Sequence, residues 1–192
     1  IRASHELEPL GCLGDLGWYN IRLSLWVLNY TLPLQVSGRI LAEHGIAGKP
    51  VPMEFSGELF FPGGATAAFF CSFLAENQQW AHISGANGTA HIPDFVLPFY
   101  GSEVGFELNR PIFTVQGCRF HMESHPRHFA MREYSDGEPN SQETNMIRTF
   151  AGLVLSGSLD STWAEIALKT QQVLDACLRS AHEGGKLMTV GD

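Results

Sequence analysis

A chain of 192 residues, 44% hydrophobic and 17% charged, is long enough to bury a substantial core as one globular domain. Its formal net charge of −8, with no basic stripe, argues against a nucleic-acid partner. Its apolar runs are too short to span a bilayer, so no membrane role is expected either.

The chain opens on Ile1 with no charged-then-apolar leader pattern, and the expectation is a cut end, from a truncated gene or a fragment. Cys12, Cys71, Cys118 and Cys177 are scattered without a C-x-x-C pair. Reduced thiols in a cytoplasmic protein are therefore expected, rather than a disulfide framework or a zinc site. Nothing else suggests secretion, so the sequons at Asn29-Tyr30-Thr31 and Asn87-Gly88-Thr89 are read as chance.

In chain order, the first organised stretch is Gly11-Cys12-Leu13-Gly14-Asp15-Leu16-Gly17-Trp18-Tyr19-Asn20-Ile21-Arg22. Asp15 suits a helix N-cap, since its carboxylate can accept free N–H groups of a first turn. Asp15 and Tyr19 are four apart and would share a side of that helix, a carboxylate beside a phenol that could handle a proton. A capped helix with a core tyrosine explains the same pair without any site. Tyr19, Leu23, Trp26, Val27 and Tyr30 recur at helical spacing, and Pro33 is the expected stop.

A strand is predicted over 34–43, and a loop over 45–52 with two prolines and two glycines. Strands over 53–61 and 65–75 flank the turn Pro62-Gly63-Gly64. The second, with Phe69, Phe70, Cys71, Phe73 and Leu74, reads as a central strand covered on both faces. A further hairpin pairs 80–84 with 89–92 around Asn87-Gly88. Residues 93–140 read as loops with short strands near 105–108 and 119–123. Helices are predicted over 143–155, with Met146, Ile147, Phe150, Leu153 and Val154 on one face, and from a Ser161 or Thr162 cap to His182. A last strand falls at 186–190. The fold class is α+β: one predominantly antiparallel open sheet with helices on one face, forming a single domain over 1–192.

Gly11, Gly14 and Gly17 are spaced G-x-x-G-x-x-G, with no preceding apolar strand and Gln35 where an acid should end the next one, so they make no dinucleotide fingerprint. His121, His125 and His128 cluster with Glu123. A metal site needs three or four convergent ligands, and Pro126 breaks the pattern, so a solvated loop is expected and no metal. No serine lies in a nucleophile elbow. Lys169 is placed on the exposed face of the last helix, and Trp163 is read as core packing.

Asp15-Leu16-Gly17-Trp18-Tyr19 resembles the D-x-G-x-[YH] segment of the glucose–fructose oxidoreductase/inositol dehydrogenase (Gfo/Idh/MocA) family. The longer string from Gly14 to Arg22 is similar to a plant and bacterial branch reading GDxGWYxIR. Cys71-Ser72-Phe73, Gly85-Ala86-Asn87-Gly88-Thr89 and the string Lys169 to Ala176 follow in family order. The resemblance is to the family's C-terminal half alone.

It implies the substrate and oligomerisation half of an NAD- or NADP-dependent oxidoreductase acting on CH–OH groups of a sugar, cyclitol or related polyol. The cofactor would be bound mainly by an N-terminal Rossmann domain that this sequence lacks. The resemblance makes Tyr19 the acid/base residue and Asp15 the residue that orients substrate, with Trp18 a further substrate contact and Arg22 given no chemistry. A lysine of the family's N-terminal half would lower the tyrosine's ordinary pKa of about 10. The family's sheet commonly makes subunit contacts, so a homo-oligomer is implied. The chain alone is expected to be inactive, to bind no nicotinamide tightly, and to self-associate. The alternative is a stand-alone, non-catalytic binding or assembly domain with the same fold.

Overall fold

The computed structural model describes residues 2–46, 48–96, 103–132 and 139–191. A π-helical turn at Leu13–Gly17 runs into α1 (Trp18–Val27). The strands β1 (Gln35–Ile46), β2 (Lys49–Phe60) and β3 (Thr66–Ser72) follow. Next come β4 (Ala81–Gly85), β5 (Gly88–Ile92), β6 (Glu103–Asn109), β7 (Ile112–Gln116), β8 (Arg119–Glu123) and β9 (Pro126–Arg132). The last elements are α2 (Gln142–Ser156), α3 (Thr162–His182) and β10 (Met188–Thr189). The class is α+β with antiparallel open sheets. The elements fall into two compact units: Ile1–Glu76 with Asp160–Asp192, and Asn77–Leu159.

The first unit is a four-stranded sheet in the order β10-β1-β2-β3, roofed on one face by α1 and α3. Its core joins Ile21 and Leu25 of α1, Val36 of β1, Phe55 and Leu59 of β2, Phe69 and Cys71 of β3, and Val173, Leu174 and Cys177 of α3. Gly38 permits the close fit of α3 on β1. A Cβ there would sit 2.3 Å from the Cys177 carbonyl oxygen. The end of α3 is tied to the same strand: Gly38 N donates to Ser180 Oγ at 2.9 Å, and Ser180 Oγ donates to the Lys186 carbonyl at 2.6 Å.

Several expectations are corrected here. The loop over 45–52 is the tip of a long hairpin, because β1 pairs with β2 from Gln35↔Phe60 out to Ile46↔Lys49. Pro50 and Pro52 are tolerated in the stretch of β2 that its ladder with β3, which begins at Glu54, does not reach. β3 is an edge strand covered on one face: Phe69 and Cys71 are buried, while Phe70 is 50% exposed. α1 ends at Val27, before Pro33, and the backbone turns through left-handed Asn29 (φ 54°) and Tyr30 (φ 55°). Lys169 is half-buried rather than solvated, and its ammonium donates to the Tyr30 carbonyl at 2.9 Å. Trp163 lies outside the core, 56% exposed.

The buried stripe of α1 also differs. Ile21 and Leu25 are fully buried, with Trp18 and Leu28 packed beside them, whereas Tyr19, Trp26 and Val27 face outward. The helix WYNIRLSLWV is apolar nearly all round, so two stripes compete, and periodicity alone does not decide between them.

In the second unit a four-stranded sheet runs β4-β5-β6-β9, and β7 and β8 form a separate hairpin. The predicted loop region thus holds four strands among its described residues; its segments 97–102 and 133–138 lie outside them. Register places His82, His91, Glu107 and His128 opposite one another across the four strands, on one face. The other face carries Ile83, Ala90, Leu108, Phe106, Phe129 and Met131. α2 matches its prediction: Ser141 Oγ accepts from Thr144 N at 3.2 Å, and Gly157 (φ 64°) closes it. Its stripe Met146, Ile147, Phe150 and Val154 is exposed.

Candidate active-site segment

The chain enters its first helix earlier than the sequence reading placed it. Leu10 N donates to Glu8 Oε1 at 3.2 Å, and the Leu10 carbonyl accepts from Leu13 N and Gly14 N. Asp15 is therefore inside the helical course, not its N-cap. It lies in the widened i→i+5 turn Leu13–Gly17, a distortion frequent at functional sites. Gly17 is buried at the end of that turn. A Cβ on it would press within 2.8 Å of Leu13 Cδ1, so Leu13 would have to shift, while Cys71 Sγ of β3 would stay at ordinary contact, 3.5 Å.

Asp15 is paired with Arg2, Oδ1 to Nη1 at 3.2 Å, and its side chain is only 23% exposed. No hydrogen bond joins it to Tyr19 among the described residues, so the structure does not assemble the two as a bonded pair. Tyr19 is 46% exposed on the outward face of α1. Trp18 points the other way, against the core, and carries the Arg22 guanidinium over its ring at 5.5 Å. Burial pulls the Arg22 guanidinium below its ordinary pKa, opposed in part by Tyr30.

Beneath the turn lie Cys12 and Cys71, with sulfurs 4.0 Å apart. The Cys71 thiol is pushed well up, first by its bond to Cys12 and then by burial, and burial alone pushes Cys177 up to about 12. These are inert thiols that fill space. A cleft elsewhere in this unit, about 330 Å³ between β1 and α3, is lined by Ile40, Leu41, Ala42, Glu43, Ala181 and His182 and shares no residue with the segment.

His121 and His128 stand on strands β8 and β9 rather than in a loop. The Glu123 carboxylate bonds His121 Nε2 and, at 2.8 Å, His125 Nε2, which hold it below its ordinary pKa. His128 pairs instead with Glu107, at 3.3 Å. Among the described residues no three His, Cys, Asp or Glu side chains converge as a metal site. Gly11, Gly14 and Gly17 lie in a helical course, not in a strand-to-helix turn, so they do not fit a nicotinamide cofactor's phosphates. Among the described residues no helix is long and apolar enough to cross a membrane.

Residues 1–91, which include the whole Asp15–Tyr19 segment, match the family model of the GFO/IDH/MocA C-terminal domain. Over those residues the chain is similar to a GFO/IDH/MocA C-terminal domain. Solved structures share its fold over nearly its full length. A putative NADPH-dependent oxidoreductase from Desulfitobacterium hafniense is 14% identical, with a TM-score of 0.67 over 98% of this chain and 50% of its own. An NAD-binding oxidoreductase from Klebsiella pneumoniae is 17% identical, with a TM-score of 0.65 over 100% of this chain and 54% of its own. A 3-ketoreductase from Actinomadura kijaniata, solved with TDP-benzene and NADP, is 19% identical, with a TM-score of 0.63 over 89% and 47%. The chain spans about half the length of the structures it matches. At these identities the likeness is one of fold.

Proposed function

We propose that this GFO/IDH/MocA domain is the substrate side of an NAD- or NADP-dependent oxidoreductase acting on CH–OH groups of a sugar, cyclitol or related polyol. The observation that carries the reading is the family match over residues 1–91, which contains the D-x-G-x-Y segment. Exposure supports the assignment: Tyr19 presents its phenol outward from α1, where a substrate can reach it.

In this reading Tyr19 takes the proton from the substrate hydroxyl as the carbinol is oxidised and returns it in the reverse direction. Asp15 orients substrate hydroxyls as an acceptor, for which they compete with Arg2. Trp18 fixes the turn and its neighbours from the core side. The nicotinamide would supply the hydride chemistry, held mainly by an N-terminal Rossmann domain. The unpaired edge of β3, with Phe70 exposed beside it, favours a homo-oligomer formed through the sheet. The cytoplasm suits four free cysteines.

The test joins this domain to the coding sequence upstream of it and measures dehydrogenase activity. Tyr19→Phe should lower kcat about 10²-fold or more. Full kcat and kcat/KM at every pH would remove Tyr19 from proton transfer. An upstream start codon with no nucleotide-binding half would favour the stand-alone assembly domain instead.

A further inference from the structure

We propose that Arg22, laid over Trp18, binds an oxyanion on the substrate, a carboxylate or a phosphate ester, so that the substrate is an acidic hydroxy compound. The inference rests on Tyr19 as the residue that meets the reacting hydroxyl. Arg22 makes no hydrogen bond or ion pair among the described residues; its guanidinium lies over the indole ring at 5.5 Å, within electrostatic reach of the Tyr30 phenol. Its Nε is buried without an acceptor, while its two terminal nitrogens are not shut off in this way. A buried, unpaired donor weakens a fold, so an arginine here is poorly explained by stability.

The same placement suits recognition. The ring holds the guanidinium plane, and the two terminal N–H groups form a fork that matches a carboxylate or phosphate. Partial desolvation strengthens its attraction to a counter-ion. The nearest acid in the sequence segment, Asp15, is already answered by Arg2, so Arg22 is left uncompensated in a chain of net charge −8. Tyr19 is three residues before Arg22 on α1, hence a surface neighbour. An oxyanion held at Arg22 would bring a hydroxyl of the same small molecule to the phenol.

The test is calorimetric titration of the chain, at constant ionic strength, with D-glucuronate, D-glucose 6-phosphate and D-glucose. One or both anions should bind at least tenfold more tightly than glucose. Arg22→Met should erase that preference with an unchanged or raised Tm, and Arg22→Lys should keep part of it. Preference for glucuronate alone assigns a carboxylate, and for the phosphate alone an ester. Three ligands that bind alike, no binding at all, or a preference that survives in R22M overturns the proposal, as does a marked fall in Tm in R22M, which would make the stack structural. Y19F should retain the preference, so loss of the Tyr19 assignment and loss of the oxyanion site are read separately.

Discussion

Phe55 and Phe106 occupy comparable places in two antiparallel sheets, and their surroundings are opposite. Phe55 is stacked on Phe69, with centroids 6.1 Å apart and planes 15° apart, and is fully buried beneath α1 and α3. Phe106 is stacked on Phe129, at 5.0 Å and 13°, yet it is 40% exposed. The ring pairs are alike, so stacking does not separate the two sites; the roof of helices does. The first unit closes its own core, whereas the second keeps an apolar sheet face and the apolar stripe of α2 without cover among the described residues. Burial, not local strand pairing, is what converts an aromatic pair into stability.

That contrast is most directly broken by truncation. Phe55→Ala should cost about 3–5 kcal/mol, as for large-to-small changes in a packed core. Phe106→Ala should cost under about 1 kcal/mol in the same chain, since a half-exposed ring loses less burial and leaves no cavity. Urea denaturation followed by far-UV circular dichroism measures both. Equal losses would mean that the second unit is as well packed as the first.

Thiol chemistry sharpens the comparison without changing a core. Cys118 is exposed, and the other three cysteines are buried. Cys71 and Cys177 are also held protonated at pH 8, the first by its bond to Cys12 and by burial, the second by burial. With an aromatic disulfide reagent in excess, one thiol should react at once, and three should react slower by about 10³-fold or more, at the rate of opening of the first unit. Two or more fast thiols would show that this unit opens locally around Cys12 and Cys71.

The same division marks what could be read from the chain. α3 is legible because its apolar positions, including Ile166, Val173, Leu174 and Cys177, form one stripe set against polar residues, so only one face can be buried. α1 is not, because Trp18, Ile21 and Leu25 compete with Tyr19, Leu23 and Trp26 as the inner stripe. β7 and β9 escape notice because strands without a buried face need not alternate, and all five residues of β7 are exposed. The candidate site was legible as a string, Asp15 to Tyr19, since a motif is a property of sequence. Its geometry was not. The Asp15–Arg2 pair joins the turn to a residue outside any regular element, and no spacing rule carries that information.

The smallest expected effect concerns how α3 begins in the first unit. Of the two expected caps, Ser161 or Thr162, Ser161 holds the cap position, but its hydroxyl donates to Glu165 Oε1 at 2.7 Å rather than accepting from a free backbone N–H. Asp160 does the capping instead: its Oδ1 accepts from Thr162 N at 2.9 Å. The Thr162 side chain and then its N–H hold the Asp160 carboxyl below its ordinary pKa, and the positive end of α3 acts in the same sense. The folded value is depressed, so the contribution is fully present above the unfolded pKa of about 3.9 and is lost as pH falls through the folded value. The group is fully exposed, so the effect is modest and screened by salt. Asp160→Ala should therefore lower Tm slightly at pH 7, and the gap from the parent chain should close as pH falls below about 4, where the parent loses the same interaction. A gap that stays constant down to acid pH would assign the loss to the side chain's packing or to the loop before α3, and would leave the charge of Asp160 with no part in starting the helix.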